Sequence, residues 1–414
     1  MKILQINTVY KNGGSTGRIV SDLRSQGLQQ NIDMYTAYGY EFKKLTPEDY
    51  DKTYKICNIL QMQWSKLQTR IFARHGFYNY FETKKLLTWI DSIKPDIIHL
   101  HNLHNHYINI ELLLNYIKKH NIPVVWTLHD CWSFTGWCTY FNMVNCNKWK
   151  TGCRGECPCK HNYPYTWFFN RSAQNYKNKR NLFTGLSNLT IVTPSQWLAN
   201  LVKISFFKHY PIKVINNGVD TEIFTPTNLN IRTKYSIPPH AKIILTVINA
   251  WSKRKGIDYL LQIPNHLREN EYLVIVGLKS KQLAILPQEH CIGICRTDNI
   301  KELAALYTEA SVFINPTLED NFPTTNIESL ACGTPVVTFD TGGSIECIDN
   351  KTGIIVPQKN LNSLITAIRE IIQKGKSAYS HHCIVKAQTL YEKKKQYQKS
   401  VSYTHLRAHE TKAN

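Results

Sequence analysis

Acidic side chains around a predicted helix give the sequence its clearest chemical signal. Glu319 and Asp320 lie in a loop that follows an apolar run, and Glu328 lies one turn inside the helix predicted next. The start of that helix, at Thr324 and Thr325, presents free backbone N–H groups and a positive dipole end, which suit a phosphate. A carboxylate at Glu328 can accept hydrogen bonds from two ribose hydroxyl groups. A capped helix with solvated acids is the alternative interpretation.

Three consecutive cations follow an apolar run in the second half of the sequence. Lys253, Arg254 and Lys255 precede Gly256, shortly after the strand predicted at Lys242–Val247. Cations near the carboxyl end of a parallel strand can neutralise a departing diphosphate, and Lys255 and Arg254 are the candidates for that role. A solvated loop would contain the same residue types.

Two further candidates lie in the first half. Gly13 and Gly14 form a turn after the first predicted strand, where the backbone can approach a ligand closely, although most glycine loops only make turns. His129 ends a strand and precedes Asp130. A single histidine is more often structural, but the carboxyl end of a strand is where such sheets bind ligands. His101 also ends a strand and ranks below His129.

The elements that must position these residues follow a repeating pattern. Short apolar runs alternate with amphipathic stretches, which predicts stacked βαβ units. The pattern restarts after a proline-interrupted segment near residues 225–239, so we predict an α/β protein with two Rossmann-like doubly wound domains that face each other across a cleft. The clearest predicted strands are Lys2–Ile6, Asp96–Leu100, Pro123–Leu128, Leu189–Val192, Lys213–Ile215, Lys242–Val247, Tyr272–Val276, Val312–Asn315 and Pro335–Phe339.

Several longer motifs resemble those of the retaining family 4 (group 1) glycosyltransferases, which have the GT-B fold. Asp320–Glu328 has the spacing of the family's EX7E motif, with Asp in place of the first Glu and Glu319 beside it as the other candidate. Ala331–Val337, Gly342–Glu346 and the segment Asn217–Phe224, which reads NGVDTEIF, also match the family's pattern. The resemblance extends to about residue 385.

The resemblance implies a role for each candidate residue. Lys255 matches the family's lysine that contacts the donor diphosphate, and Arg254 is the substitute for the usual upstream arginine. His129 is implied to lie near the transferred sugar, and the loop of Gly13 and Gly14 to approach the donor. The acids, Glu328 among them, hold the ribose and the sugar. The family lacks a well-placed protein nucleophile, front-face attack is the usual proposal, and no cofactor or divalent metal is expected for catalysis.

The predicted division therefore has three parts. Residues 1–224 form an N-terminal acceptor domain with a cysteine-rich insertion at 131–160, and residues 225–385 form a nucleotide-sugar-binding domain. Residues 386–414 form a tail, of which Ser402–Thr411 shows neither helical nor strand periodicity. We expect this end to be translated adapter sequence, with the natural C-terminus missing beyond about Lys399; an ordinary disordered tail is the alternative. In the family, the last helix crosses back onto the first domain.

Composition excludes some classes and leaves others open. The chain has 414 residues, 43% of them hydrophobic, which is too apolar for global disorder. No apolar run is long enough to span a membrane and the N-terminus turns polar too soon for a signal peptide, so we expect a cytoplasmic protein. The net charge of +20 is concentrated in the first half. Such a surface can attract nucleic acid, anionic lipid or phosphorylated substrates, or it can reflect compositional bias alone.

Cysteines are concentrated in one segment. Six of the 12 fall between residues 131 and 159. In a reducing compartment a cluster favours metal over disulfides, and we predict a structural zinc ion held by four thiolates. Free thiols packed in a loop are the alternative. The candidate ligands are Cys138, Cys146, Cys153 and Cys157.

An aromatic segment lies beside further cations. Residues 163–169 read YPYTWFF, and Arg171, Lys177, Lys179 and Arg180 follow. Aromatic rings next to cations suit an anionic membrane surface, and they equally suit a helix that packs on its own core. With the basic first half, the membrane interpretation is preferred, either for the protein itself or for a lipid-linked acceptor.

These observations predict a glycosyltransferase that moves a sugar from a UDP- or GDP-linked donor to a saccharide or lipid-linked saccharide with retention, in bacterial surface-polysaccharide biosynthesis. It is expected in the cytoplasm, either free or as a peripheral protein at the inner face of the cell membrane. A sugar-nucleotide epimerase of the same fold and a zinc-stapled nucleic-acid-binding protein are the alternatives. The second is disfavoured because the basic residues form neither one recognition helix nor a repeated zinc module, so no nucleic acid is expected as a partner.

Overall fold

A computed structural model of the chain describes residues 1–11, 14–41 and 44–410. The chain divides into two compact units. Unit 1 contains Met1–Asn216 and Gln396–Asn414, and unit 2 contains Asn217–Lys395. The predicted boundary after residue 224 and the predicted separate tail from residue 386 differ from this division. The chain passes to unit 2 earlier, and its last helix belongs mostly to unit 1.

Unit 1 is built on a seven-stranded parallel sheet with the order β3-β2-β1-β4-β5-β6-β7. Its central strands are apolar and buried on both faces, as is usual where helices cover a parallel sheet on both sides. The strands are β1 Lys2–Asn7, β2 Asp33–Tyr38, β3 Thr53–Lys55, β4 Ile97–Leu100, β5 Val124–Thr127, β6 Leu189–Thr193 and β7 Ile212–Val214. The helices before the crossover are α1 Gly14–Gln29, α2 Ile59–Phe72, α3 Tyr80–Ile93, α4 Ile110–Lys119, α5 Ser172–Phe183 and α6 Gln196–Lys203.

Unit 2 contains a six-stranded parallel sheet with the order β10-β9-β8-β11-β12-β13. Its strands are β8 Lys242–Val247, β9 Glu271–Val276, β10 Cys291–Ile294, β11 Val312–Asn315, β12 Val336–Phe339 and β13 Gly353–Val356. Its helices are α7 Ile257–Leu260, α8 Ser280–Leu283, α9 Ile300–Glu309, α10 Thr324–Ala331, α11 Leu361–Lys374 and α12 Ser377–Leu390.

The strand order reverses once in each sheet. In unit 1 the reversal lies between β1 and β4, and in unit 2 it lies between β8 and β11. Loops that leave neighbouring strands in opposite directions open a crevice at such a point, which is where doubly wound sheets bind ligands. The predicted fold class, two Rossmann-like α/β domains, is confirmed.

The last helix, α13, covers Lys393–Glu410. Tyr397, Val401 and Ala408 are buried in a core cluster of unit 1 that also contains residues of β1 and α1. With buried Thr404 they repeat at intervals of four, three and four residues, which is a helical stripe. The prediction that the chain is irregular from Ser402 is therefore wrong as far as residue 410, whereas the suggested foreign origin of this end stays a prediction.

The two segments that cross between the units pair with each other. The backbone N–H of Val219 donates to Tyr391 O at 2.8 Å, and the N–H of Lys393 donates to Val219 O at 3.0 Å. The Lys393 ammonium lies 2.6 Å from the Asp220 carboxylate. An added Cβ on Gly218 would lie 2.4 Å from the Lys393 Cα, so the glycine of the NGVD segment permits this close approach.

In the described part of the chain, the helices are too short or too polar to cross a bilayer.

Candidate functional site

The reversal point of unit 2 brings together the cations and acids that the sequence singled out. The Lys255 ammonium lies 2.5 Å from Oδ2 of Asp320. The Arg254 guanidinium donates to the backbone carbonyl of Glu319 at 2.6 Å. The N–H of Leu318 donates to Arg254 O at 2.7 Å, so the loops after β8 and β11 are joined through their backbones as well.

The positive charges of Lys255 and Arg254 decide the protonation state of the Asp320 carboxyl. Burial alone would raise the pKa of Asp320, but the charges of Lys255 and Arg254 and a hydrogen bond from Lys255 outweigh it and hold the pKa below its ordinary value. Asp320 is therefore ionised at neutral pH. Of the two acids that the sequence offered for the first motif position, Asp320 is the one that pairs with Lys255, while Glu319 is buried beside it.

Helix α10 presents its first turn on the same side of the unit 2 sheet. Thr324 and Thr325 are half-buried, and Pro323 before them makes no side-chain cap. Glu328 is buried one turn later, and its Oε2 accepts a hydrogen bond from the Tyr307 hydroxyl at 3.0 Å. Tyr307 lies in α9, and sequence reasoning missed it because no motif contains it.

A buried amide holds α10 in place. Asn326 Oδ1 accepts a hydrogen bond from Asn315 Nδ2 at the end of β11, at 2.8 Å. Asn326 Nδ2 donates to the carbonyl of Ser344 at 3.0 Å. The helix that carries Glu328 is thus tied to the preceding strand and to the turn at Gly342–Glu346, so the glycosyltransferase-like motifs form one structural block.

Two glycines let the loops of this block meet. Gly256 has φ +74°, and an added Cβ would lie 2.0 Å from Pro316 O. Gly342 has φ +54°, and an added Cβ would lie 2.0 Å from Asp320 O. Both positions require a left-handed backbone and leave no room for a side chain, so these glycines set the separation of the loops that hold Lys255 and Asp320.

Gly256→Ala is expected to destabilise the protein by about 2–4 kcal/mol and to weaken the alignment of Lys255 with Asp320, because the new methyl group meets backbone on the facing loop. The matched control is Gly375→Ala, since Gly375 also has a positive φ, +85°, but its nearest neighbour would be Ser377 Oγ at 3.8 Å. Denaturant unfolding measures both variants. Equal losses would show that backbone conformation, and not the clash, decides the effect.

In unit 1, the imidazole rings of His99, His101 and His129 lie next to one another. His101 Nδ1 and His129 Nε2 are 3.1 Å apart in a hydrogen bond, and the two rings stack with centroids 5.4 Å apart. His99 also stacks on His101, with ring centroids 4.3 Å apart, and its Nε2 bonds to the Thr127 hydroxyl at 2.8 Å. His101, which the sequence ranked below His129, is its direct partner.

Burial keeps these rings neutral. It lowers the pKa of His129 to about 4, against an opposing contribution from Asp130, and it lowers the pKa of His99 to about 3. The pKa of His101 lies well below its ordinary value for the same reason. A neutral imidazole has one donor and one acceptor nitrogen, so in this bond one ring donates and the other accepts, and the tautomers of His101 and His129 are coupled.

Asp130 holds a different histidine. Its Oδ2 lies 2.8 Å from His104 Nε2, and its Oδ1 accepts the N–H of Trp132 at 2.8 Å. His104 Nδ1 bonds to the Tyr163 hydroxyl at 3.0 Å. The sequence reasoning missed His104, although it follows His101 by three residues in the same loop.

The glycine loop is only partly described. Gly13 lies outside the residues that the structure describes. Gly14 begins α1 with φ +78°, and an added Cβ would have no described atom within 4 Å. The role of this loop near the donor stays a prediction.

The structure does not assemble the predicted zinc ligands. None of the 12 cysteines, all of which lie within the described residues, forms a disulfide, and within residues 1–11, 14–41 and 44–410 no three His, Cys, Asp or Glu side chains form a group that could hold a metal ion. Cys138 and Cys153 instead lie in the main core cluster of unit 1, with Cys146 and Cys157 packed against it. Burial raises the pKa of the Cys153 thiol to about 11, and zinc binding by these cysteines stays a prediction.

Comparison with known proteins agrees with this geometry. A family model described as Glycosyltransferase Family 4 matches residues 39–223, and a model described as Glycosyl transferases group 1 matches residues 241–374. The two matches fall on different parts of the chain. The chain therefore belongs to the family 4, group 1 glycosyltransferases, and the predicted family is confirmed.

Individual relatives extend this similarity to nearly the whole chain. WcaC of Escherichia coli K12, named as a colanic acid biosynthesis glycosyl transferase, is 27% identical over 405 residues, covering 92% of this chain and 96% of WcaC. Anabaena HepE, solved in complex with UDP, has a TM-score of 0.68 at 15% identity over 98% of this chain and 99% of HepE. WaaG, a lipopolysaccharide-biosynthesis glycosyltransferase, has a TM-score of 0.63 at 12% identity over 97% and 99%. The protein is thus a glycosyltransferase with the GT-B fold, which disfavours the epimerase and the nucleic-acid-binding alternatives.

Proposed function

We propose that the protein transfers a hexosyl group from a nucleotide sugar, with retention, to a saccharide or lipid-linked saccharide in surface-polysaccharide biosynthesis. The observation that carries this proposal is the Lys255–Asp320 ion pair at the reversal point of the unit 2 sheet. WcaC supports the polysaccharide role through its name, and the HepE complexes with UDP and UDP-glucose support a nucleotide sugar as donor.

The geometry explains how unit 2 would stabilise a departing diphosphate. Breaking the glycosyl–phosphate bond places negative charge on the phosphate oxygens, and a positive group fixed in advance stabilises that charge without reorganising. Asp320 holds Lys255 in one position, and the carbonyl of Glu319 does the same for Arg254. The first turn of α10 adds backbone N–H groups and the positive end of its dipole.

Two further side chains would hold the donor. Glu328, oriented by the Tyr307 hydroxyl, is proposed to accept hydrogen bonds from the ribose. His129, kept neutral by burial, is proposed to donate one hydrogen bond to the transferred sugar. We assign no nucleophile to the protein, and front-face attack by the acceptor hydroxyl is the proposed course.

Thermal melting with millimolar UDP, and separately with GDP, tests the donor site. The nucleotide that binds the folded state is expected to raise the melting temperature by mass action, which also identifies the base. Lys255→Ala and Glu328→Ala should abolish the rise. Lys253→Ala should retain it, because Lys253 is exposed on the same loop. A cooperative melt that neither nucleotide shifts would contradict the proposed donor site.

We further propose that the protein works at the inner face of the cell membrane as a peripheral protein. The support is its basic composition, with a net charge of +20, together with the aromatic and basic segment that follows residue 163. A lipid-linked acceptor would be presented at that surface.

A further inference from the structure

Helix α2 of unit 1 carries apolar side chains on its outer face. Leu60 is 80% exposed and Trp64 is 61% exposed, and half-buried Leu67 and Ile71 continue the same stripe. The spacing of four, three and four residues places all four on one side of the helix. The helix meets the core of its unit with other residues, so this stripe faces away from that core.

A loop continues this apolar surface at the C-terminal end of α2. The N–H of Trp167 and the hydroxyl of Thr166 both donate to Arg70 O, at 2.8 and 3.2 Å. Trp167 and Phe169 are exposed, and Phe168 is 72% exposed. The sequence left open that residues 163–169 belong to a helix packed on its own core. This interpretation is wrong, because α5 begins only at Ser172 and the rings of residues 167–169 are exposed.

The start of α3 completes the surface. The Tyr78 hydroxyl donates to Gln68 O of α2 at 3.2 Å, which ties the segment just before α3 to α2. Tyr80 is exposed and Phe81 is 73% exposed, with ring centroids 5.5 Å apart. We call the exposed apolar side chains of residues 60–72, 80–81 and 167–169 the aromatic face. A group of exposed apolar residues of this size marks an interaction site.

Cations surround these rings. The Arg70 guanidinium lies 5.7 Å from the ring centroids of both Tyr165 and Trp167, Arg171 lies 5.6 Å from that of Phe169, and Lys84 Nζ lies 4.6 Å from that of Tyr80. The sequence segment 59–85 contains five Lys and Arg residues and one acid, Glu82. Segment 163–180 contains no acid and four basic residues, of which Lys179 is buried and the other three are exposed.

This combination favours a lipid surface over a protein partner. Protein interfaces are depleted of lysine, and a rim in which basic residues far outnumber the one acid, Glu82, has little charge complementarity to a second copy. At a bilayer, by contrast, aromatic rings lie at the headgroup level while Lys and Arg extend their charges to anionic headgroups.

We propose that the aromatic face enters the headgroup region of an anionic bilayer and holds unit 1 on the membrane. The proposal rests on the peripheral location included in the proposed function and names the surface responsible. Binding is favoured by burial of the apolar side chains among the headgroups and by attraction of the surrounding cations to anionic lipid. The face belongs to unit 1, so the Lys255–Asp320 site of unit 2 is not part of it.

Vesicle flotation tests this surface directly. The full chain is expected to float with phosphatidylcholine vesicles that contain one quarter phosphatidylglycerol, and to float far less with phosphatidylcholine alone. Leu60→Ser and Phe168→Ser should each weaken binding by about tenfold or more, because each loses the burial of one large side chain. The matched control is Ile204→Ser, since Ile204 is 55% exposed but lies at the end of α6.

A double lysine substitution distinguishes electrostatic attraction to anionic lipid from adsorption through apolar side chains alone. Replacing Lys84 and Lys85 together by Gln should weaken binding to the anionic vesicles more than replacing Lys203 and Lys208, which are exposed elsewhere on unit 1. Absence of binding to anionic vesicles, or equal binding by Phe168→Ser and Ile204→Ser, would overturn the proposal. So would a dimer in gel filtration that Phe168→Ser dissociates, because the face would then be a subunit interface.

Thermal melting with the nucleotide tests the donor site independently of membrane binding. The Leu60 and Phe168 variants should retain the melting shift caused by the nucleotide. If the protein responds to the nucleotide but does not float, the membrane surface is wrong and the donor site stands. If it floats but no nucleotide shifts its melting, the donor site fails and the surface stands.

Discussion

Replacing Lys255 with alanine is expected to lower kcat/KM for sugar transfer by about 100- to 1000-fold, the usual cost of removing one fixed donor from a developing anion. The ion pair with Asp320 holds the ammonium in place before the substrate binds. The loss should fall mainly on kcat, because the charge on the diphosphate is greatest in the transition state. The assay uses the sugar donor of whichever nucleotide raises the melting temperature.

The control for this prediction lies two residues away. Lys253→Ala removes the same charge from the same loop, but its side chain is exposed, and activity should stay within about threefold of the wild type. Because Lys255→Ala leaves Asp320 without its partner, Lys255→Ala with Asp320→Asn should recover stability but not activity. Equal effects of the Lys253 and Lys255 variants would mean that general positive charge, and not position, matters.

Acidification is expected to unfold unit 1 between about pH 6 and pH 5. Burial lowers the pKa of five histidines in this unit: His75, His99, His101, His106 and His129. In the unfolded chain each has a pKa near 6.5 and takes up a proton as the pH falls, while the folded state does not.

The sign follows from this difference in bound protons. Stability is fully present above pH 6.5 and is lost as the pH falls towards the folded-state values, which lie near 3 to 4 for His99, His106 and His129. Each histidine contributes up to about 1.4 kcal/mol per pH unit, so the five together reach about 7 kcal/mol per pH unit. A typical domain has only about 5–15 kcal/mol of stability, so one to two pH units suffice.

Urea unfolding at pH 8, 7, 6 and 5.5 measures this dependence through tryptophan fluorescence. Trp251 is the one tryptophan of nine that lies in unit 2, so the signal reports unit 1. His106→Asn should reduce the dependence of the unfolding free energy on pH by the contribution of one histidine. Asparagine is the replacement because His106 has φ +67°, a conformation that asparagine tolerates. His381→Asn, at an exposed position, should leave the slope unchanged. A urea midpoint that stays constant from pH 7 to pH 5.5 would contradict the prediction.

The sequence predicted the central strands well because most of their residues are apolar. Lys242–Val247 and Val312–Asn315 match the observed bounds, since both strands are largely buried and end at loops that carry the motifs. The prediction missed β2 and β3, whose residues DMYTAY and TYK are mixed or polar and are recognisable as strands only through their pairing with β1 and with each other.

Site residues were predictable where a motif fixed them in sequence. Lys255 and Asp320 are 65 residues apart, yet both follow strands that flank the reversal point, and this topology brings them into contact. Tyr307 and His104 were not predictable in the same way, because their contacts with Glu328 and Asp130 depend on side-chain packing between separate elements. The cysteine spacing suggested a metal, but it could not show that core packing surrounds the thiols.

The return of α13 to unit 1 has a consequence for the order of events during synthesis. Unit 2 is one continuous segment, Asn217–Lys395, and can fold as soon as that segment has left the ribosome. Unit 1 begins first but completes its core only when Tyr397, Val401 and Ala408 have been made. The nascent chain therefore carries an unfinished apolar surface on unit 1 for as long as unit 2 is being translated, and the part synthesised first is the last to become complete.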